Sequence, residues 1–313
     1  MNSTPADSNA TWNSQERFVR AVYMNTTVVI LGLTINYINA AMIHTFNKHD
    51  ILKMNPRYIL FIHLVLNDLL LLTTSILLFV FTFTLNTVYV SICLVFLLPA
   101  ILTSQNTPLN LAVMAAECYI SVCVPLRYEN ICTVKRTCIV IGIIWAISSL
   151  TILPDLFILL ATEPLQFFQS RVFCETNNVF RSSLSIKKRD ATHILFLVVV
   201  WITLFYTYFR ILFVAKAAAS NAKKARNTIL IHGCQLLLCM TVYVQPMVTK
   251  TLTLFFPVSY IFFVTFIIFQ ILPRFLSPII YGLRDKTFRK YFIRTVMCTI
   301  TIKIHPNKRM MLP

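Results

Sequence analysis

Three ionisable side chains sit where a very apolar chain has least reason to keep them: Asp68, Glu117 and Arg274. Asp68 lies about eleven residues into one long apolar run, Arg274 lies at comparable depth in another, and Glu117 ends a third, beside Cys118. An isolated charge in hydrocarbon is costly, so the chemistry these residues suggest is charge pairing. Arg274 has two readings: it pairs with Asp68 or shares a water network with it, or it snorkels or bonds backbone carbonyls freed by Pro273 and Pro278. In the third run, Ser104, Gln105, Asn106, Thr107 and Asn110 form a polar stretch. Such groups either hold helices together or line a cavity, and a period of 3.6 residues cannot turn all of them one way. No Gly-x-Ser-x-Gly or His-Glu-x-x-His motif offers hydrolytic chemistry. Cys118, Cys123, Cys132, Cys138, Cys234, Cys239 and Cys298 show no metal-ligand spacing and are read as packing residues. No enzymatic activity, cofactor or metal is expected.

The elements that must position these residues follow from composition. With 57% hydrophobic and 12% charged residues and a mean hydropathy of +0.73, the chain has too little polar surface for a soluble globule of 313 residues. A bilayer crossing needs ~20 mostly apolar helical residues. Seven such segments occur, about 22–46, 57–84, 89–124, 137–161, 190–215, 228–254 and 259–283. They are too long and continuous for the strands of a lipid-facing barrel. The expected fold is all-α: an outer segment 1–21, a seven-helix membrane domain 22–283, and a tail 284–313. In that tail Lys286, Phe288, Arg289, Lys290, Tyr291, Phe292 and Arg294 interleave cations and aromatics as an interfacial helix would.

Of the 28 Lys and Arg, 19 fall in the loops near 46–57, 125–136 and 210–227 and in the tail; eight fall on the other side. The tail is therefore expected in the cytoplasm and the N-terminus outside. Asn2 and Asn9 open glycosylation sequons on that outer side, and a third at Asn25 is too close to the membrane to be used. Residues 1–20 lack the apolar core of a cleavable signal peptide. The net charge of +17 lies mostly along one membrane face, where anionic lipid accounts for it without a nucleic-acid partner. Cys93 and Cys174 alone among nine cysteines fall outside or at the outer boundary, which suits a disulfide holding the loop after the fourth span over the bundle; two unpaired thiols are the alternative. That loop is expected to carry Arg171, Arg181, Lys187, Lys188 and Arg189 against Glu163, Glu175 and Asp190, either as a solvated charge run or as an attractor for anionic or zwitterionic solutes.

Four motifs then point to a family. "NPRYILFIHLVLND" (55–68), "MAAECYISVCVPLRY" (114–128), "KARNTILIHGCQLLL" (224–238) and "SPIIYGLRDKTFRK" (277–290) stand in order along the chain. Together they resemble the rhodopsin-like G-protein-coupled receptors, and within them odorant receptors of the fish type, over essentially the whole length. The resemblance implies a small-molecule odorant, a heterotrimeric G protein of the stimulatory olfactory type, and a plasma-membrane location. It places Ala100, Ile101, Ser104 and Gln105 near the ligand pocket, where His193, Met240 and Tyr243 would complete a mixed apolar and hydrogen-bonding cavity. No aspartate stands at the outer level of the third helix, so an amine clamp is disfavoured. Activation and coupling fall by resemblance to Asp68, Glu117, Cys118, Tyr119, Tyr208, Arg274, Pro278 and Tyr281. Two positions depart from the family: Ser277 replaces the asparagine before Pro278, and Cys118 replaces the arginine that restrains the resting state and meets the G protein. A transporter or channel is the alternative reading. Paired internal repeats and a filter or ring of charge are both absent from the sequence.

Overall fold

In lipid every backbone N–H and C=O must be satisfied within the segment, so long apolar runs have little choice but helix. The structure, a computed structural model, describes residues 5–85, 87–217, 245, 247–276 and 286–304. In chain order these form α1 (Pro5–Lys48), α2 (Asp50–Lys53), α3 (Pro56–Leu85), β1 (Val88–Tyr89), α4 (Val90–Cys123), α5 (Pro125–Ile131) and α6 (Val134–Thr162). There follow α7 (Leu165–Phe168), β2 (Arg171–Val172), α8 (Thr176–Val179), α9 (Ser183–Ala217), α10 (Val258–Thr265), a π-helical turn (Phe266–Ile271) and α11 (Lys286–Ile304). Among the described residues, five helices are long and apolar enough to cross a membrane: Phe18–Lys48, Pro56–Leu85, Val90–Cys123, Val134–Thr162 and Ser183–Val214. A shorter apolar helix covers Tyr260–Leu276. Most of the expected sixth span, 228–244, and the end of the seventh, 277–283, lie outside the described residues.

Two boundaries differ from expectation. The first helix begins at Pro5 rather than near residue 22; proline is well placed in a first turn, and no glycine or proline interrupts the polar residues that follow. The fifth long helix begins at Ser183 rather than 190. Lys187, Lys188, Arg189 and Asp190 therefore belong to a helix instead of a loop, and two of these cations gain partners on neighbouring elements.

α4 is the central helix, packed against α3, α6 and α9. Its polar stretch radiates instead of lining one face. Asn110 donates to the carbonyl of Leu60 on α3 (3.0 Å), whereas Gln105 accepts from Thr151 on α6. Helix–helix bonding thus accounts for both. The α1–α3 crossing is close at Gly32, where a side chain would overlap Cδ1 of Ile76. Trp145 of α6 donates to Nε2 of His63 on α3 (2.9 Å).

The two ends of the bundle are built differently. At one end, β1 and β2 pair antiparallel, Val88 with Val172 and Tyr89 with Arg171, and Cys93 is joined to Cys174 with a Cα separation of 5.7 Å. Val90, Leu94, Leu97, Phe167, Val179 and Phe180 pack beneath that hairpin. At the other end α11 anchors Phe288, 1% exposed, among Leu60, Phe61 and Leu64, with an edge-on contact to the Phe61 ring (5.2 Å).

Candidate ligand cleft and helix-end clamp

Below the hairpin, α4, α6 and α9 leave a cleft of about 330 Å³, including the part open to solvent, lined by Ile101, Gln105, Thr151, Ile152, Asp155, Thr176, Phe180, Arg189 and Thr192. Asp155 is 8% exposed. Lys188 of α9 meets it at 2.8 Å and also donates to the carbonyl of Thr151 (2.8 Å), so one ammonium neutralises the buried acid and ties α9 to α6. Arg189, the next residue, donates to Oδ1 of Asn177. Apolar walls, hydroxyls, one acid and two bases make this a place for a small polar molecule.

Of the residues expected to approach a ligand, Ile101 and Gln105 line this cleft. Ala100 is buried in α4 and Ser104 is half-buried. His193 lies on α9, but its side chain, Met240 and Tyr243 are outside the described residues. Asp155 escaped the sequence reading. The rule that singled out Asp68, an ionisable group inside a span, applies equally to it.

At the opposite end Glu117 is 6% exposed and fully engaged. Nε of Arg57 donates to its Oε2 (3.2 Å) and Nη2 to its Oε1 (3.3 Å). Nη2 also reaches Oγ of Ser121 (3.1 Å), and the Tyr128 hydroxyl donates to Oε1 (2.7 Å). One carboxylate thus ties α3, α4 and α5 together. Burial, and then its bond to the carboxylate, push the Tyr128 phenol well above its usual range, so it stays a donor. Cys118 packs with Ile211 of α9 beside Tyr119, Cys123 and Tyr208. The cation expected to be missing beside Glu117 is supplied from α3.

Of the intramembrane charges, Asp68 is 3% exposed on α3 and Arg274 is 5% exposed. Pro273 has no N–H for the carbonyl four residues back, and Nη1 of Arg274 donates to that oxygen, on Phe269 (3.1 Å), and to the Gln270 carbonyl (2.8 Å). Carbonyl bonding was one of the two readings of Arg274. Pro278 and Tyr281 lie outside the described residues, as does Asn2. The backbone of Asn9 falls within α1, and its side chain is outside the described residues.

A multi-helix membrane protein with a hairpin-covered cleft and a disulfide to the start of its central helix is of receptor type. Residues 38–301 match the family described as 7 transmembrane receptor (rhodopsin family). The chain is also 31% identical over 286 residues to "Odorant receptor 131-2" of Danio rerio, covering 88% of this chain and 86% of that protein. It belongs to the rhodopsin family of seven-transmembrane receptors, which are not enzymes, and among them to the odorant receptors.

Proposed function

We propose that the chain senses a small-molecule odorant at the hairpin end of the bundle and activates a heterotrimeric G protein at the other. The observation that carries this reading is the course of α4. It contributes Ile101 and Gln105 to the cleft and Glu117 to the clamp. Twelve residues separate Gln105 from Glu117, about 18 Å along a helix axis. A ligand that binds one packing of α4, α6 and α9 better than another shifts the population toward it, and the clamp at the far end of α4 feels the same shift.

In the proposed topology seven spans put the N-terminus outside and the basic tail in the cytoplasm, as the distribution of Lys and Arg supports. α11 lies along the inner face, with Phe288 inward. His193, Met240 and Tyr243 complete the ligand pocket, while Pro278 and Tyr281 bend and switch the seventh span. Tyr119 and Tyr208, beside Cys118, belong to the coupling region. The G protein is of the stimulatory olfactory type, acting through cyclic AMP.

The test is a panel of water-soluble odorants applied to cells expressing the chain with a cyclic-AMP reporter, alongside nucleotide exchange on purified G protein. Ligand-evoked exchange is expected. Ligand-evoked current or uptake without exchange would replace the receptor reading with a channel or transporter.

A further inference from the structure

The cleft also bears a charge pattern that selects among ligands. Its acid is already matched: Asp155 has the Lys188 ammonium at 2.8 Å. Arg189 lines the same cleft and carries a guanidinium of five N–H donors, of which the neutral amide oxygen of Asn177 takes one among the described residues. Lys188, Asp155 and Arg189 together sum to one positive charge beside the half-open space. We infer that the cleft binds a small organic carboxylate, its anionic head on Arg189 and its short apolar body against Ile101, Ile152 and Phe180. Thr192, one turn along α9 from Arg189 and lining the cleft, stands in reach of the same head.

Three properties of the site agree on this class. A guanidinium matches a carboxylate in a two-pronged geometry that no alcohol or aldehyde reproduces. Removal from bulk water strengthens that contact, and the apolar wall rewards a short alkyl group. A cationic ligand meets the opposite situation, because the only acid in the cleft lining, Asp155, would have to surrender Lys188 first. Splitting a largely buried pair leaves a charge uncompensated, which disfavours amines.

The inference rests on the receptor reading for its signalling consequence, but binding can be measured without it. The full chain, purified in lipid nanodiscs, is titrated with butanoate, 1-butanol and butylamine while its thermal unfolding is followed. Butanoate is expected to raise the unfolding temperature in proportion to its occupancy, and the two other probes to leave it unchanged. Arg189→Gln is expected to weaken butanoate by about tenfold or more, as for a lost charge-assisted bond. Arg189→Lys, which keeps the charge but not the fork, should fall between. Stabilisation by 1-butanol or butylamine with none by butanoate would overturn the carboxylate assignment, as would no stabilisation by any probe, or equal butanoate affinity in Arg189→Gln. If folding of the glutamine variant fails, equal affinity in Arg189→Lys and the parent serves as the overturning result. Butanoate binding without nucleotide exchange on the G protein would leave the site standing and remove the receptor reading instead.

Discussion

Glu117 needs a cation because 6% exposure leaves its charge little water, and the residue beside it, Cys118, cannot supply one at neutral pH. Arg57 does so from sixty residues away, with two donors on the two carboxylate oxygens. The clamp crosses three helices, so any activation that moves the inner end of α4 relative to α3 must strain it. Arg57→Gln and Glu117→Gln are each expected to raise ligand-independent cyclic AMP about fivefold or more, the scale of a 1–3 kcal/mol shift between two states. The exchanged pair, Arg57→Glu with Glu117→Arg, should return it toward the parent level at matched surface expression. Basal signalling that ignores all three changes would show that the clamp is only structural. Cys118→Arg is a complementary probe. It puts a second guanidinium beside Glu117 and a charge against Ile211, so basal or ligand-driven coupling should change; unchanged output at equal expression would make the position silent. Asp68 and Arg274 lend themselves to the same logic. Nη1 of Arg274 is spent on two carbonyls, and we propose that the rest of the guanidinium answers Asp68. Asp68→Arg with Arg274→Asp should then recover surface expression lost in either single variant, whereas no recovery would leave carbonyl bonding as the arginine's whole role.

At the scale of elements, the tightest constraint is the approach of α1 to α3. Helices in lipid gain little from apolar burial against each other and depend on close van der Waals contact, which small residues permit. Gly32 faces the Ile76 side chain with no room for a Cβ, whereas a Cβ on Gly142 meets nothing within 4 Å. Gly32→Leu is expected to destabilise the purified chain by about 1–3 kcal/mol, the usual cost of overpacking, with Gly142→Leu near neutral; equal unfolding temperatures for the two would contradict the crossing. The long helices themselves were legible in the sequence, because an apolar run in lipid has one way to satisfy its backbone. Pairing between elements was less so. Arg57 entered the sequence reading as one more loop cation, since its partner lies on another helix and no periodicity connects them. Asp155 sits near the outer end of its span, where water would be expected to reach it, and only the packing of α9 buries it. Lys188 and Arg189 looked like loop charges because α9 continues seven residues beyond its apolar core, and a charged helical turn is indistinguishable from a solvated loop until its partners are known. The polar stretch of α4 was correctly expected to diverge, since helical geometry forbids five shared directions.

For the whole molecule, the asymmetry between the two ends decides which way it faces. Nineteen Lys and Arg lie in one set of connecting segments and eight in the other, and the paired Cys93 and Cys174 fall with the eight. Both biases run the same way, since basic loops stay in the cytoplasm and disulfides persist on the oxidising side. The three sequons then make a graded test of the proposed topology. Asn2 and Asn9 lie well before the apolar part of α1, which runs from Phe18. Asn25 lies within it, and its amide already donates to Oγ1 of Thr84 on α3 (3.0 Å). Glycosylation requires an exposed, flexible acceptor on the lumenal side, so Asn2→Gln and Asn9→Gln should each remove one step of glycosidase-sensitive mass from the expressed chain. Asn25→Gln should remove none. A chain that shows no glycosidase-sensitive mass, together with an N-terminal epitope reached by antibody only after permeabilisation, would reverse the orientation. The cleft would then open to the cytoplasm, where no odorant arrives from outside, and the Glu117 clamp would face away from any G protein. Orientation is thus the property on which the sensing and coupling assignments jointly depend, and the glycan count tests it without a ligand.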